Sequence, residues 1–106
     1  MGGESRSGDV VLTKDEKRHM SRVAELGCIV CRRMGYIGTP AELHHPRSGT
    51  GMGKRASNYY VLPLCPEHHR GNTGVHGLGT KGFVKHWGFT EADLLTEVRQ
   101  LLGNAP

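Results

Sequence analysis

Seven histidines and three cysteines carry most of the chemistry available to this 106-residue chain. Four of these residues make one pattern: Cys28-Ile29-Val30-Cys31, a long gap, then Cys65-Pro66-Glu67-His68. Three thiolates and one imidazole, spaced as two pairs, suit a tetrahedral structural zinc, because a pair on a tight turn or helix start offers both ligand atoms on one side. Three cysteines do not make a disulfide framework. A redox-active Cys-x-x-Cys is the competing reading, and the matching Cys65-x-x-His68 favours metal over it. The neighbouring histidines His44, His45 and His69 stand outside this set. Imidazole either binds a divalent cation or accepts a proton near neutral pH, since its ordinary pKa is about 6.5.

These residues need a scaffold, and the chain is long enough for one domain. Only 36% of it is apolar, so a small core with a metal staple is expected. Residues 1–10 read as a disordered segment or an expression remnant, and 11–106 as a single domain with its core at 27–88. Thr13 and Glu16 form a capping box for a helix from about Lys14 to Leu26, with Met20, Val23 and Ala24 as a weak apolar stripe and Gly27 as its stop. Cys28-x-x-Cys31 falls on a tight turn and Arg32 to Pro40 is turn-like. Ala41 to His45 reads as a short strand. Pro46 to Ser57 is a loop, and Tyr59 to Leu64 is the strongest strand signal, with Pro63 placing it at an edge or an end. Pro66 opens a short helix through His69 and Arg70. Gly74 to Gly82, with four glycines, reads as flexible, and Phe83 to Trp87 as a short helical piece. Thr90 and Asp93 cap a last helix, about Glu91 to Leu102, with Leu94, Val98, Leu101 and Leu102 on one face. The fold class is α+β: a ββα unit with a zinc knuckle and flanking helices.

Adjacent strand residues point to opposite faces. One of His44 and His45 can therefore hold a metal while the other acts as a base. The net charge is +4, and between Leu43 and Phe89 the only carboxylate is Glu67, beside Arg47, Lys54, Arg55, Arg70, Lys81 and Lys85. A locally positive middle fits a polyanion such as nucleic acid. Hydrolysis of a phosphodiester needs an activated water, a cation on the phosphate and help for the leaving oxygen, and a His-rich ββα unit can supply all three. Arg47, Lys54, Arg55 and Arg70 are the candidates for nucleic-acid backbone contacts. No apolar run reaches transmembrane length, and the expected setting is the reduced cytoplasm, with no membrane partner.

His44-His45, Asn58, Leu64-Cys65 and His68-His69, within the string HHPRSG...N..VLPLCPEHHRG, resemble the HNH endonuclease family. The resemblance runs from about Gly27 to Gly88 and is closest to phage proteins related to the RecA-dependent nuclease of recombination enhancement. It implies a ββα-metal fold and a metal-dependent endodeoxyribonuclease of low intrinsic sequence specificity. It also implies roles: His44 and His69 bind one catalytic divalent ion, His45 is the general base, and Asn58 ties the inter-strand loop and holds the base. His68 completes the zinc knuckle, where relatives usually have Cys. Relatives often place a third ligand one turn after the helix histidine; here that residue is Thr73, so His76 is the candidate and Asn72 the fallback. His86 is expected to be structural or substrate-facing, and His19 a solvent-facing helix residue. The catalytic ion is Mg, Mn, Ni or Zn, with imidazole favouring the softer ions. DNA is the expected partner, with a recombinase filament or phage packaging proteins as candidates beside it. The alternative is a zinc-stabilised nucleic-acid-binding or phage packaging and assembly accessory protein without catalysis of its own.

Overall fold

A computed structural model describes residues 12–46 and 58–103. Two strands, β1 (Glu42–His44) and β2 (Leu62–Leu64), pair antiparallel, with Glu42 opposite Leu64, Leu43 opposite Pro63 and His44 opposite Leu62. Five helices surround them: α1 (Lys14–Glu25) and α2 (Ile29–Arg33) before the hairpin, then α3 (Pro66–Arg70), α4 (Val75–Trp87) and α5 (Glu91–Leu101). β1, β2 and α3 follow the β-β-α order expected. Arg47, Lys54 and Arg55 lie outside the described residues, as do the loop between Arg47 and Ser57 and the first ten positions.

The long outer helices begin as their residues dictate. Thr13 Oγ1 accepts from the Glu16 N–H at 3.0 Å while Glu16 Oε1 accepts from the Thr13 N–H at 2.8 Å. Thr90 and Asp93 repeat this reciprocal box at the start of α5, at 3.0 and 2.8 Å. Each box satisfies two donors that the first turn of a helix leaves open. Gly27, in the left-handed region at φ 76°, follows α1 as expected. Val23, Ile29, Val30, Val61, Leu62, Leu64, Phe83, Leu94 and Val98 form the core, drawn from every element except β1 and α3. Of the apolar face assigned to α5, Leu94 and Val98 are buried, whereas Leu101 is 40% exposed at the frayed end.

Several elements differ from expectation: β1 stops at His44 and leaves His45 just beyond it, and Cys28-x-x-Cys31 opens a helix rather than a tight turn. The second strand is shorter, because Tyr59 and Tyr60 sit in a turn, 43% and 44% exposed, and only Leu62–Leu64 pairs. Among the described residues the sheet has two strands, each at an edge, which is where a mid-strand Pro63 is tolerated. The glycine-rich stretch from Gly74 to Gly82 is helical rather than flexible: it runs into α4, which breaks direction at Gly79 (φ 77°). The reason is close packing. A Cβ on Gly74 would stand 2.6 Å from the Glu67 carbonyl oxygen, and one on Gly77 would meet the Gly71 carbonyl. The glycines let α4 lie directly against the end of α3.

Candidate metal centres and their neighbours

The first site joins the start of α2 to the start of α3. Cys28 is the residue before α2 and its Sγ accepts from the Cys31 N–H at 3.4 Å; Cys65 is the residue before α3 and His68 lies one turn in. Their side chains converge. His68 Nδ1 stands 3.5 Å from Cys28 Sγ, 3.5 Å from Cys31 Sγ and 3.2 Å from Cys65 Sγ, and the Cys31 and Cys65 sulfurs are 3.9 Å apart. Metal–sulfur and metal–nitrogen bonds of ordinary length give a tetrahedral shell edges of about 3.6–3.8 Å. The set fits such a shell. It is also sealed: all four residues are buried, and the Trp87 ring packs edge-on against His68 at 5.3 Å. Burial pushes the Cys28 thiol up to about 12 and the His68 imidazole down. A cation bound to these residues must displace thiol protons.

The second site is built from β1, α3 and α4. His44, His69 and His76 bring one ligand atom each to within 4.8 Å of one another. Their ring centroids are 5.1 Å (His44–His69), 5.3 Å (His44–His76) and 4.8 Å (His69–His76) apart. The close approach of α4 to α3 described above is what carries His76 to His69. Burial is graded: His44 is buried, His69 half-buried and His76 exposed, so this set opens to solvent on the α4 side. A cavity of about 140 Å³ adjoins it, lined by His44, His76, Gly79, Thr80 and Glu91.

Two carboxylates fix the rings. Glu91, the first residue of α5 and itself buried, accepts from His44 Nε2 at 2.9 Å. Glu42 accepts from His69 Nδ1 at 2.7 Å. An ionised carboxylate can only accept, so these bonds place a proton on His44 Nε2 and on His69 Nδ1, and in the neutral ring the other nitrogen is the one that can bind a cation. Arg70 in turn embraces Glu42, with Nη2 2.7 Å from Oε2 and Nε 3.1 Å from Oε1. Arg70 first, and then His69, hold the Glu42 carboxyl at about 2, well below the usual carboxylate range.

His45 faces elsewhere. Its Nε2 is 2.9 Å from Asn58 Oδ1, and Asn58 Nδ2 donates to Glu16 Oε2 at 3.3 Å. The acceptor-only carboxylate of Glu16 turns the Asn58 amide so that its oxygen meets His45. His45 therefore donates through Nε2 and keeps Nδ1 as a proton acceptor. His45 lies just past the end of β1, and the two adjacent histidines meet different partners: α3, α4 and α5 for His44, Asn58 and through it α1 for His45.

Among the remaining candidates, Thr73 is committed to Glu67, donating through its N–H at 2.9 Å and its hydroxyl at 2.7 Å. Asn72 is exposed in the turn before α4. His86 packs against Trp87 at 4.9 Å. His19 faces solvent only in part: it is half-buried, its Nε2 donates to the Tyr59 carbonyl at 3.1 Å and its ring lies 5.3 Å from that of Tyr59. The 58–60 turn folds back over α1 and supplies the partner. Sequence reasoning also passed over Glu42, Glu91 and Glu16. Glu42 carried a signal, since it is two residues from His44 on a strand and shares its face. Glu91 carried none, because an acid in the first turn of a helix is ordinarily read as a complement to the helix dipole.

No curated protein matches this chain. One family model does, described as recombination enhancement, RecA-dependent nuclease, and it spans residues 12–102, which includes both metal-ligand sets and the His45–Asn58 pair. The chain belongs to that RecA-dependent recombination-enhancement nuclease family.

Proposed function

We propose that the protein is a metal-dependent endodeoxyribonuclease of the HNH, ββα-metal type, acting as a single domain over residues 11–106. The observation that carries this reading is the division of labour between two adjacent histidines. His44 joins His69 and His76 in a solvent-open imidazole set, while His45 is oriented by Asn58 with a nitrogen left to accept a proton. A divalent ion held by His44, His69 and His76 would neutralise charge on the scissile phosphate and on the departing 3′ oxygen. His45 Nδ1 takes a proton from the attacking water, and Asn58 keeps the ring in the tautomer that allows it. The ends produced are 5′-phosphate and 3′-hydroxyl. Glu91 and Glu42 act through the rings they hold, raising imidazole basicity and fixing its direction.

The sealed Cys28, Cys31, Cys65 and His68 set takes zinc, because soft thiolates with no open position suit a structural ion. The open imidazole set takes Mg, Mn, Ni or Zn. Buried reduced thiols suit the cytoplasm. Arg70, with Arg47, Lys54 and Arg55, contacts the DNA backbone, although Arg70 must share its guanidinium with Glu42. The family's name supports a recombinase filament as the partner that selects the substrate; phage packaging proteins are the other setting.

The test is nicking of supercoiled plasmid and linear single-stranded DNA by wild type and His45→Ala, in Mg, Mn, Ni and EDTA, with circular dichroism on each sample. Cleavage that EDTA stops, and that His45→Ala loses with its fold and zinc intact, is the expected result. No cleavage in any ion, with or without a recombinase filament, and a single bound zinc per chain would instead make this a binding or assembly protein.

A further inference from the structure

A groove of about 510 Å³ runs between α1, α5 and the turn that leads into β2. Arg18, His19 and Arg22 line it from α1, Tyr59 and Tyr60 from the turn, and Arg99 from α5. None of these residues belongs to the metal centres. Among the described residues Asp15 is the one carboxylate lining it, and it lies 3.8 Å from Arg18, both side chains being more than 70% exposed. The groove is therefore cationic as well as aromatic.

Its walls are fixed rather than incidental. Arg22 Nη2 donates to the Leu102 carbonyl at 2.8 Å, tying α1 to the end of α5. His19 holds the Tyr59 backbone at 3.1 Å, with its ring 5.3 Å from the Tyr59 ring. The Arg99 guanidinium lies 5.3 Å from the centre of the Tyr60 ring. Two tyrosines, each more than two-fifths exposed as a residue, are thus presented beside three guanidinium groups. A tyrosine in this position leads directly on from Asn58, the partner of His45.

We infer that this groove binds a single-stranded segment of nucleic acid, its bases stacking on Tyr59 and Tyr60 and its phosphates meeting Arg18, Arg22 and Arg99. Aromatic faces beside a positive track are the two ingredients of sequence-tolerant single-strand binding. Arginine alone serves a duplex equally well. Exposed ring faces do not, because the bases of a duplex are already stacked on one another. The position beside Asn58 would place an unpaired strand next to the proposed base. This inference deepens the nuclease reading and rests on it for its purpose, yet binding is measurable without cleavage.

The experiment is fluorescence anisotropy with a labelled oligothymidylate of about fifteen nucleotides and a hairpin duplex of equal length, using the zinc-loaded protein with no further divalent ion. Tyr59→Ala/Tyr60→Ala is expected to weaken single-strand binding at least about tenfold, with the Tyr→Phe pair staying near wild type because the ring faces remain. Arg18→Ala/Arg99→Ala is expected to lower the slope of log affinity against log salt by about 1.4, at about 0.7 per phosphate contact. Wild type should prefer the single strand over the hairpin. The inference is overturned if the folded alanine pair binds the oligothymidylate as tightly as wild type, or if the hairpin binds as well and with the same dependence on the tyrosines. Plasmid cleavage by wild type is scored separately, so a failed groove and a failed nuclease give different results.

Discussion

The two ligand sets of this small domain use the same residue type to opposite ends. The Cys28, Cys31, Cys65 and His68 set is buried, joins two helix starts, and contains four donors for four positions. The His44, His69 and His76 set has three donors, grades from buried to exposed, and borders a cavity. A filled, buried shell can only hold the chain together. An unfilled, open one leaves room for a reacting group. The partners of the rings differ in the same sense. His68 is covered by the edge of Trp87, whereas His44 and His69 are each aimed by a carboxylate from another part of the chain. Closure and staple go together, as do openness and alignment.

Substitutions should separate the two sets, and the largest effect is on folding. Structural zinc contributes about 10–16 kcal/mol in small metal domains, as much as the entire stability of a typical domain, about 5–15 kcal/mol. Cys31→Ala or Cys65→Ala should leave a chain without helical circular dichroism at 25 °C, and prolonged chelation of wild type should do the same. His76→Ala should keep the fold, with Tm within about 4 °C of wild type, as an exposed substitution changes stability by about 0.5 kcal/mol or less; its plasmid cleavage should be lost. If His76→Ala unfolds the protein while Cys31→Ala does not, the roles of the two sets are reversed.

A smaller effect is expected one step out from the open set. Glu91→Gln retains an oxygen to accept from His44 but removes the charge, and should weaken divalent-ion activation of cleavage about 10–100-fold with little change in Tm. Titrating the cleavage rate against Mn concentration reads this directly; an unchanged midpoint would mean that Glu91 merely fills space. Glu42→Gln should act in the same direction but more weakly, since Glu42 is half-exposed and shared with Arg70.

The mildest prediction concerns the third carboxylate. The Glu16 carboxyl lies below its ordinary value of 4.5, chiefly because it accepts from the Thr13 N–H and also from Asn58. A depressed value in the fold means that its contribution is complete above the unfolded carboxylate range and is lost as pH falls through the folded value. Glu16→Gln should therefore lower Tm slightly at pH 7, and the gap to wild type should close on acidification below pH 4.5. A gap that widens in acid would show that Glu16 acts by another route.

Local chemistry was legible in the sequence wherever neighbours in the chain are also neighbours in space. Both capping boxes, Pro66 at the head of α3 and the two ligands within each Cys-containing half-site span three residues or fewer, so spacing alone determines what can meet. The glycine-rich stretch misled because glycine has two uses. Freedom of the backbone suggested flexibility for 74–82, whereas the lack of a Cβ is what α4 exploits to approach Glu67 and Gly71. The second strand was overread for a related reason. Tyr59 and Tyr60 have strand-forming side chains, but they lie in the turn that precedes β2 and are exposed there.

The sequence by itself determined which donors exist and which of them come as pairs: Cys28 with Cys31, Cys65 with His68, His44 beside His45. Residue type and a separation of one to three positions suffice for that, because the backbone between them has few shapes. Only the tertiary structure decided that α4 brings His76 to His69, that Glu91 reaches His44 across 47 residues, and that Asn58 carries Glu16 to His45. Those meetings depend on how helices pack on a two-stranded sheet, and no local preference of the chain encodes the direction in which a buried carboxylate points.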